Sequence, residues 1–527
     1  MGKDKDKKKA KNTGEAGPTA KSGAKGAKRK KSGSTKKPAA KKRRSKLTLH
    51  GISDIRRYFY RNHEPYYFIS GTNFNLMNTD EWVRNFKFIN FIDCFDGTHP
   101  NVFSPKQRTD RVFQSLEEIV NWLLEHKETR DYIHARGPGG KAVFLFFDEK
   151  TEELCKELGL QVCFPSAKLR RLVDDKISAT RIGDRAGVKS VPNVLAKVDS
   201  YQTLRRVSRS LGDSLVIQTA FGDSGHTTFF VSNEADYNKH KDEIEAEKEV
   251  KIMKKIRCRQ SALEACVTRH GTIVGPLMTE LVGFPQLTPY KGGWCGNEIF
   301  AGTFTEKIRR DAVKSAFKFG EELRRLGYRG YFEIDFLIDM DSDKVYLGEV
   351  NPRITGASSM TNLAAFAHAD APLFLFHLLE WADVDFEIDI EALNERWSNA
   401  SNIDPWAQLV IKWTGEPLEQ VVRAPRTGVW RMQPGGQLEF ARPQTHRRTV
   451  ESEHEAFFLR IMGQGDWRYE GADVGILLTP GRLMDDDFRL NDRARHWIRG
   501  IHAQYEAVGA TPPPRAEPAE VGGFKFL

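Results

Sequence analysis

The chain has 527 residues, of which 39% are hydrophobic and 29% are charged, a composition typical of a folded protein. Its length predicts three or four domains. No apolar stretch reaches the roughly 18 residues of a membrane-spanning helix, and the first residues lack the apolar core of a secretory signal. Six scattered cysteines without a Cys-x-x-Cys pair indicate neither a disulfide framework nor a zinc site. We therefore expect a cytoplasmic protein with reduced thiols and no membrane partner.

The positive charge is confined to the first 46 residues. The whole chain has 81 Lys or Arg against 71 Asp or Glu, whereas residues 1–46 have 19 against 3, so the remainder is mildly acidic. Because this Lys-rich tail contains no Val, Ile, Leu, Phe, Trp or Tyr, it cannot bury apolar surface, and we predict that it is disordered. Such a polycation would bind nucleic acid through its phosphates without sequence preference, and its basic clusters allow a nuclear location in a eukaryote. A solubilising tail is the alternative.

Residues 47–167 alternate between strand-like and helix-like segments. Short apolar runs indicate the strands, and helical spacing of apolar residues indicates the helices. The predicted strands are 66–69, 86–92, 142–147 and 161–164, and the predicted helices are 116–124 and 151–158. This alternation predicts an α/β domain with a parallel sheet.

The sequence after residue 167 predicts a long helix and a small C-terminal domain. Residues 305–326 predict a long amphipathic helix that ends at Gly327. We interpret residues 385–510 as a small C-terminal α+β domain, with a strand at 428–432, and residues 511–527 as a Pro-rich flexible tail. No motif in 385–510 identifies a role, so shaping specificity and forming a homodimer both stay open.

The segment 330–353 predicts a β-hairpin with an acidic turn. Side chains alternate between the two faces of a strand, which places four polar side chains on one face. These are Glu333, Asp335, Glu349 and Asn351. With the turn centred near Asp341, Glu333 lies opposite Glu349, and Asp335 lies diagonal to it.

Clustered carboxylates repel one another. Two unit charges about 4 Å apart cost about 4 kcal/mol at an effective dielectric constant near 20, and a bound cation relieves this repulsion. Oxygen ligands without His or Cys favour Mg²⁺ over zinc, and Mg²⁺ held by one or two carboxylates usually also holds a nucleotide phosphate. A solvated polar face is the alternative interpretation of the same acids.

The sequence Glu-Val-Asn-Pro-Arg at 349–353 resembles the metal-binding signature of ATP-grasp enzymes, especially the branch of carbamoyl-phosphate synthetases and carboxylate–amine ligases. This resemblance implies ATP as the cofactor. It also implies that Asp335, Glu349 and Asn351 hold Mg²⁺, or Mn²⁺ in its place, between the ATP phosphates. Arg353 matches the catalytic arginine that stabilises charge on the transferring phosphoryl group or on the acyl-phosphate.

Segments upstream resemble the same family in the same order. Asp175 and Lys176 resemble its opening segment, while 215–218 followed by the Gly-rich 222–228 resembles the strand and the loop that folds over the phosphates. Residues 251–256 resemble the linker whose backbone reads the adenine edge. The cofactor-binding residues that this resemblance implies are Lys176, Gln218, Gly222, Ser224, Gly225, Thr227, Thr228, Lys254, Ile256 and Glu264.

The predicted fold class is therefore α/β, with α+β character in an ATP-grasp domain at 168–384. This domain is preceded by the α/β domain at 47–167 and followed by the small C-terminal β-containing domain. The resemblance implies an ADP-forming carboxylate–amine ligase, which phosphorylates a carboxylate with MgATP and joins it to an amine or another nucleophile. Its partners would be small-molecule or peptide carboxylates and amines.

The chain departs from the family pattern in ways that bear on function. Gln218 stands where the family often has a phosphate-contacting Lys, and Ala357 stands where biotin carboxylase has a Glu. The Gln-Arg-Arg segment of biotin carboxylase is also missing. A biotin carboxylase-like enzyme is therefore the less favoured alternative, beside a degenerate nucleotide-binding protein that is associated with nucleic acid through its tail.

Overall fold

The computed structural model describes most of the chain after the basic tail. The described residues are 47–107, 109, 111–222, 227–363 and 370–509, with the backbone of 519–521 and 524–526. The chain divides into two units, Met1–Ser45 and Lys46–Leu527. The predicted disorder of residues 1–46 lies outside the described residues and stays a prediction.

A parallel sheet flanked by helices occupies the first part of the described chain. Its strands run in the order β4-β3-β2-β5-β6 and all pair in parallel, which confirms the predicted parallel sheet. The elements of this part are β1 (Thr48–His50), α1 (Gly51–Tyr60), β2 (Tyr66–Ser70), α2 (Thr79–Trp82), β3 (Phe86–Asn90), β4 (Val102–Phe103), α3 (Leu116–Glu125), α4 (Lys127–His134), β5 (Lys141–Phe144), α5 (Glu149–Glu157), β6 (Gln161–Val162) and α6 (Ala167–Asp174).

The strand order reverses between β2 and β5. The chain moves outward from β2 through β3 to β4, and then returns to pair β5 with the other side of β2. The strand predicted over 142–147 ends at Phe144, so Leu145 and Phe146 leave the sheet at this reversal. In open α/β sheets, ligands bind outside the carboxyl ends of strands at such a point.

A second, four-stranded sheet is antiparallel and follows in sequence. Its order is β7-β10-β8-β9, and the predicted strand 215–218 is β8. The elements are α7 (Lys176–Ala186), β7 (Asn193–Ala196), α8 (Tyr201–Val207), β8 (Leu215–Gln218), β9 (Thr228–Val231), α9 (Glu234–Asn238), α10 (Lys241–Ala246) and β10 (Val250–Lys254).

A large antiparallel sheet begins after β10. The predicted hairpin forms its edge, where β16 pairs with β15 and β15 pairs with β11. The elements are β11 (Cys258–Thr268), β12 (Gly271–Val274), β13 (Met278–Val282), β14 (Trp294–Ile299), α11 (Glu306–Arg325), β15 (Gly330–Asp339), β16 (Lys344–Asn351), α12 (Ser358–Leu363) and α13 (Leu373–Trp381).

Helix α11 confirms the prediction for 305–326. The Thr305 side chain caps its first turn by accepting a hydrogen bond from the Ile308 amide at 3.3 Å. One apolar face of the helix is buried against β11 and β12. The buried residues of this face include Ile308, Ala312, Ala316, Phe319 and Leu323. Gly327 follows the helix with φ of +83°, a conformation that a residue with a Cβ rarely adopts.

The last part of the described chain extends the large sheet. Strand β18 pairs with β14, and the order continues through β24, β22, β20 and β21, with the predicted strand at 428–432 forming β20. The elements are β17 (Asp385–Glu387), α14 (Ile390–Ser398), β18 (Trp406–Lys412), β19 (Glu419–Arg423), β20 (Gly428–Met432), β21 (Leu438–Arg442), β22 (Glu455–Arg460), β23 (Trp467–Arg468), β24 (Asp473–Pro480), α15 (Asp492–His502), β25 (Glu506–Gly509), β26 (Ala519–Val521) and β27 (Phe524–Phe526).

The C-terminal segment contains a short strand pair. Within the predicted Pro-rich tail, β26 and β27 pair antiparallel. Across the part of the chain that the structure describes, no helix has both the length and the apolarity to cross a bilayer.

Candidate functional site

The hairpin β15–β16 brings the four predicted polar side chains to one cavity, but in a different register from the one predicted. Glu333 lies opposite Asn351, and Asp335 lies opposite Glu349. The predicted pairing of Glu333 with Glu349 is wrong for two reasons: Asp339 pairs with Lys344, so the turn is centred between Asp341 and Ser342, and a bulge at Gly348 inserts one extra residue into β16. A Cβ on Gly348 would lie 2.8 Å from the Asp335 carbonyl oxygen, so the bulge requires glycine.

The cavity has a volume of about 230 Å³ and lies where the hairpin meets the reversal point of the parallel sheet. Leu145 and Phe146, which follow β5, and Asn75, which follows β2, line it together with the hairpin acids. Its other lining residues are Gln218, Gln260, Glu280, Val282, Gly292, Trp294, Glu333, Asp335, Leu337, Gly348, Glu349, Asn351, Arg353, Thr355, Gly356 and Ala357. The site therefore combines elements from three sheets.

The carboxyl groups of the cavity lie close to one another, with Glu333 buried and Glu280, Asp335 and Glu349 half-buried. Burial and the neighbouring carboxylates, Glu264 and Glu280 for Glu333, raise the pKa of Glu333 and of Asp335 well above the usual range. Burial, followed by the charge of Glu349, raises the pKa of Glu280 to about 7. Such a cluster favours either protonation or a bound cation.

The donor chemistry of the cluster fits Mg²⁺, although the side chains are paired with one another. Among the described residues, no three His, Cys, Asp or Glu side chains are arranged to hold a metal ion. Asn351 Nδ2 donates to Glu333 Oε2 at 3.3 Å and to Asp335 Oδ2 at 3.1 Å. A cation at this position would therefore require the Asn351 amide to turn its oxygen toward the carboxylates. Carboxylate and amide oxygens are otherwise the ligands that Mg²⁺ prefers.

Lys176 brings a positive charge to the edge of the cluster. It is the first residue of α7, whose N-terminus is capped by the Asp175 carboxylate. Lys176 is 5% exposed, and its Nζ donates to the Gly222 carbonyl oxygen at 2.6 Å and lies 3.2 Å from Glu349 Oε1. The predicted opening segment is thus connected both to the Gly-rich loop and to the predicted metal-binding strand.

Arg353 follows β16 and is buried in the cavity wall. Its guanidinium lies over the Phe146 ring, 4.5 Å from the ring centroid, so a residue from the parallel sheet holds the side chain in place. The planar guanidinium presents several N–H donors, a geometry that suits the oxygens of a phosphoryl or acyl-phosphate group.

The segment after Arg353 is fixed by contacts from several elements. The Glu264 carboxylate accepts hydrogen bonds from the hydroxyls of Ser358 and Thr355, at 2.5 and 3.2 Å. Asn75 Nδ2 donates to the Thr355 carbonyl oxygen at 2.9 Å. The Trp294 ring packs against Gly356 so closely that a Cβ there would lie 2.1 Å from it.

The structure brings only part of the predicted site together. Gln218, Asp335, Glu349, Asn351 and Arg353 line the cavity, and Lys176 and Gly222 lie in contact with it through the bonds above. The remaining candidates are distributed around this centre, as follows.

Glu264 is fully buried behind the segment that follows Arg353. Lys254 is exposed at the end of β10, and Ile256 is half-buried in the connection to β11. Thr228 Oγ1 accepts a hydrogen bond from Gln218 Nε2 at 3.3 Å, and the Thr227 carbonyl accepts one from Thr219. Ser224 and Gly225 lie outside the described residues.

Sequence reasoning missed several residues that line or adjoin the cavity. Glu280 lies half-buried on β13, where a carboxylate within an otherwise mostly apolar strand is the signal that identifies it. Asn75 and Phe146 have no local signal, because both follow strands of the parallel sheet and not of the sheet that contains the hairpin. Lys251 lies in the segment 251–256, for which the resemblance implies only a backbone contact with adenine. Its side chain is 1% exposed and contacts Gly348 of the cavity wall.

Comparisons with known proteins concern the fold of the chain. No family model matches the chain. A pyruvate carboxylase from Aspergillus niger is 22% identical over 266 residues, which are 47% of this chain and 20% of that protein. The chain therefore matches about a fifth of the length of that relative.

Two solved structures show the same arrangement of elements. The biotin carboxylase of Campylobacter jejuni, solved as a β-γ-ATP complex, has 14% identity and a TM-score of 0.56, and the match covers 85% of this chain and 92% of that chain. Carboxyaminoimidazole ribonucleotide synthase from Aspergillus clavatus, complexed with ATP, has 13% identity and a TM-score of 0.50, covering 84% and 99%. The resemblance predicted from the sequence is thus confirmed, and the chain has the ATP-grasp fold that these two enzymes share.

Proposed function

We propose that the protein is an ADP-forming ATP-grasp ligase that activates a carboxylate as an acyl-phosphate and joins it to an amine or another nucleophile. The observation that carries this proposal is the meeting of Asp335, Glu349, Asn351 and Arg353 in one cavity at the reversal point of the parallel sheet. The ATP named for both solved relatives supports a nucleotide at this position.

The proposed reaction has two steps. A carboxylate oxygen of the first substrate attacks the γ-phosphorus of ATP, the bond to the β-phosphate oxygen breaks, and ADP leaves. The nucleophile then attacks the acyl carbon, loses a proton, and expels inorganic phosphate. Since both steps move negative charge between oxygens, the task of the protein is to position groups and to stabilise charge.

The residues of the cavity divide this task. Asp335, Glu349 and Asn351 would hold Mg²⁺, which when bound supplies positive charge to the nucleotide phosphates. Arg353, held over Phe146, is placed to stabilise the transferring phosphoryl group. Lys176 would contact a phosphate once Glu349 binds the cation, because its ammonium already adjoins that carboxylate.

Carboxylation of biotin receives less support than ligation to another acceptor. Ala357 lines the cavity at the position where biotin carboxylase has a glutamate. A methyl group there offers neither charge nor a hydrogen bond. The proposal therefore leaves the acceptor as a small-molecule amine or another nucleophile that enters between the segment after Arg353 and the parallel sheet.

Calorimetric titration of ATP into the full-length chain, with and without Mg²⁺, tests this proposal. We expect binding that depends on Mg²⁺ and that is weakened at least 10-fold in Glu349→Gln, because the cation loses a charged ligand. Asp343→Asn is the matched control, because Asp343 lies exposed in the turn of the same hairpin with φ of +53°, which Asn tolerates.

A second measurement connects binding to chemistry. Carboxylates and amines are screened in pairs for ADP release by the wild type, and any active pair is repeated with both variants. The proposal predicts ADP release from the wild type and from Asp343→Asn, and strongly reduced release from Glu349→Gln. Absence of Mg²⁺-dependent ATP binding in the wild type would refute the proposed function.

A further inference from the structure

A buried lysine adjoins the cavity and has no ion-pair partner in the part of the chain that the structure describes. Lys251 lies in the middle of β10 and is 1% exposed. Its ammonium has three N–H groups. Among the described residues it makes one hydrogen bond, a long one of 3.3 Å to the Gly348 carbonyl oxygen, and no ion pair. A buried charge with so few partners is costly unless something else compensates it.

The neighbours of Lys251 are residues of the cavity wall. Its register partner on β8 is Gln218, so the two side chains project from the same face of the four-stranded sheet. Its hydrogen-bond acceptor, Gly348, is the bulge residue next to Glu349. Gln218, Gly348 and Glu349 all line the cavity, and the Lys251 ammonium therefore lies directly behind the point where they meet.

Gln218 has an unmet hydrogen-bonding requirement at the same point. Its Nε2 donates to Thr228, but its Oε1 is buried without a partner among the described residues. The side chain carries no charge, and two lysines lie beside this stretch of wall, one of which is Lys251. Lys176 is the other one, and it is already paired with Glu349.

The electrostatics around Lys251 favour binding of an anion. Burial lowers the pKa of Lys251 to about 8, the charges of Glu349 and Asp184 oppose this shift, and the charge of Lys176 adds to it. Glu349 thus acts on both lysines, but it forms its ion pair with Lys176. A phosphate chain bound beside Glu349 would give the second lysine an anionic acceptor and would complete its hydrogen bonds.

We propose that Lys251 is a phosphate-binding residue of this site, whose ammonium donates to a phosphate oxygen of the nucleotide and provides the positive charge that Gln218 lacks. This inference rests on the proposed function, because it needs a nucleotide in the cavity. A purely structural role, in which Lys251 only holds the bulge at Gly348, is the alternative that the experiment separates.

The experiment compares the full-length wild type with Lys251→Met, which keeps the length of the side chain and removes its charge. We expect MgATP to bind about 10- to 100-fold more weakly to the variant, the effect of losing one charged hydrogen bond. Adenosine, measured by displacement of a fluorescent nucleotide, should bind equally to both proteins because it has no phosphate. The melting temperature of the unliganded variant should be unchanged or higher, because a buried charge with one weak partner has been removed.

A charge swap makes the test specific. In the double variant Lys251→Gln/Gln218→Lys, the ammonium moves across the strand pair but stays on the same face. We expect this protein to bind MgATP within about threefold of the wild type. A structural role predicts instead that the swap stays as defective as Lys251→Gln alone. Lys239→Gln, at an exposed lysine beyond α9, is the control for changes in net charge.

The outcomes separate this inference from the proposed function. Wild-type affinity for MgATP in Lys251→Met, or equal losses for ATP and adenosine, would overturn the inference while leaving the proposed function intact. If Lys251→Met does not fold, the test is the comparison of the double variant Lys251→Gln/Gln218→Lys with Lys251→Gln. The inference is overturned if the double variant binds MgATP no better than Lys251→Gln. A wild type that does not bind MgATP overturns both.

Discussion

Lys176 and Glu349 form an ion pair inside the candidate site, with Nζ 3.2 Å from Oε1, although they belong to different structural layers. Lys176 begins α7, and Glu349 lies on the edge strand β16 of the large sheet. The lysine is nearly buried, whereas the carboxylate is 28% exposed toward the cavity. In the proposed function, cation binding at Glu349 therefore also frees the Lys176 ammonium to contact a phosphate.

The Glu280 carboxyl group predicts a pH dependence of stability. Its pKa rises from a model-peptide value near 4.5 to about 7 on folding, so the unfolded chain loses this proton first as pH increases. As pH rises from about 4.5 to 7, this carboxyl group therefore lowers the free energy of unfolding of the unliganded protein. The loss is complete above pH 7 and absent below pH 4.5.

We expect Glu280→Gln to be more stable than the wild type above pH 7, by of order 1–3 kcal/mol, and the difference should shrink as pH falls toward 4.5. Urea denaturation at several pH values, without nucleotide or Mg²⁺, measures this difference. A constant difference across the range would contradict the assignment.

Arg353→Lys should slow the reaction with little effect on nucleotide binding. Lysine keeps the positive charge but lacks the planar guanidinium that lies over Phe146, so the charged group of residue 353 is no longer held in one orientation. We expect the rate of ADP release to fall about 10²- to 10³-fold and the affinity for MgATP to change less than threefold. Arg324→Lys, at an exposed arginine paired with Glu321 on α11, should behave like the wild type. Equal losses in rate and affinity would contradict a role in the transition state.

Gly356→Ala should destabilise the protein through one contact. The added Cβ would lie 2.1 Å from the Trp294 ring, so the segment after Arg353 must shift. We expect a loss of about 1–3 kcal/mol in the free energy of unfolding, with part of it recovered when Trp294→Leu is added. Gly509→Ala is the control, since nothing lies within 4 Å of its Cβ position. No recovery in the double variant would show that backbone strain rather than the ring is responsible.

Lys412 provides a structural contrast to Lys251. Lys412 is equally buried, but its Nζ lies 3.0 Å from Asp473 Oδ1, and both side chains are almost inaccessible to solvent. Lys412→Met removes the positive charge that is paired with this buried carboxylate, so we expect a loss of about 3–5 kcal/mol in stability. Lys412→Met/Asp473→Asn should recover part of this loss, which thermal denaturation of the three proteins measures. Additive losses would contradict a coupled pair.

Local periodicity in the sequence identified a major helix of the fold and the hairpin that carries the acidic residues of the site. The apolar spacing of 305–326 specified helix α11, and the alternation in 330–353 placed Glu333, Asp335, Glu349 and Asn351 on one face. Both predictions hold because burial of one face leaves a period of 3.6 or 2 in the sequence, whatever the element packs against. The basic composition of residues 1–46 was likewise visible without a structure.

Tertiary structure decided which residues meet. The register of the hairpin was not predictable, because alternation reports the face of a side chain but not its partner across the strands. The bulge at Gly348 is part of that register. Asn75 and Phe146 reach the cavity only because the parallel sheet reverses its strand order beside the hairpin. Lys251 gains its proposed importance from burial against Gln218 and Gly348, which lie 33 and 97 residues away. Contacts between distant segments depend on how the sheets pack, and no local pattern encodes that packing.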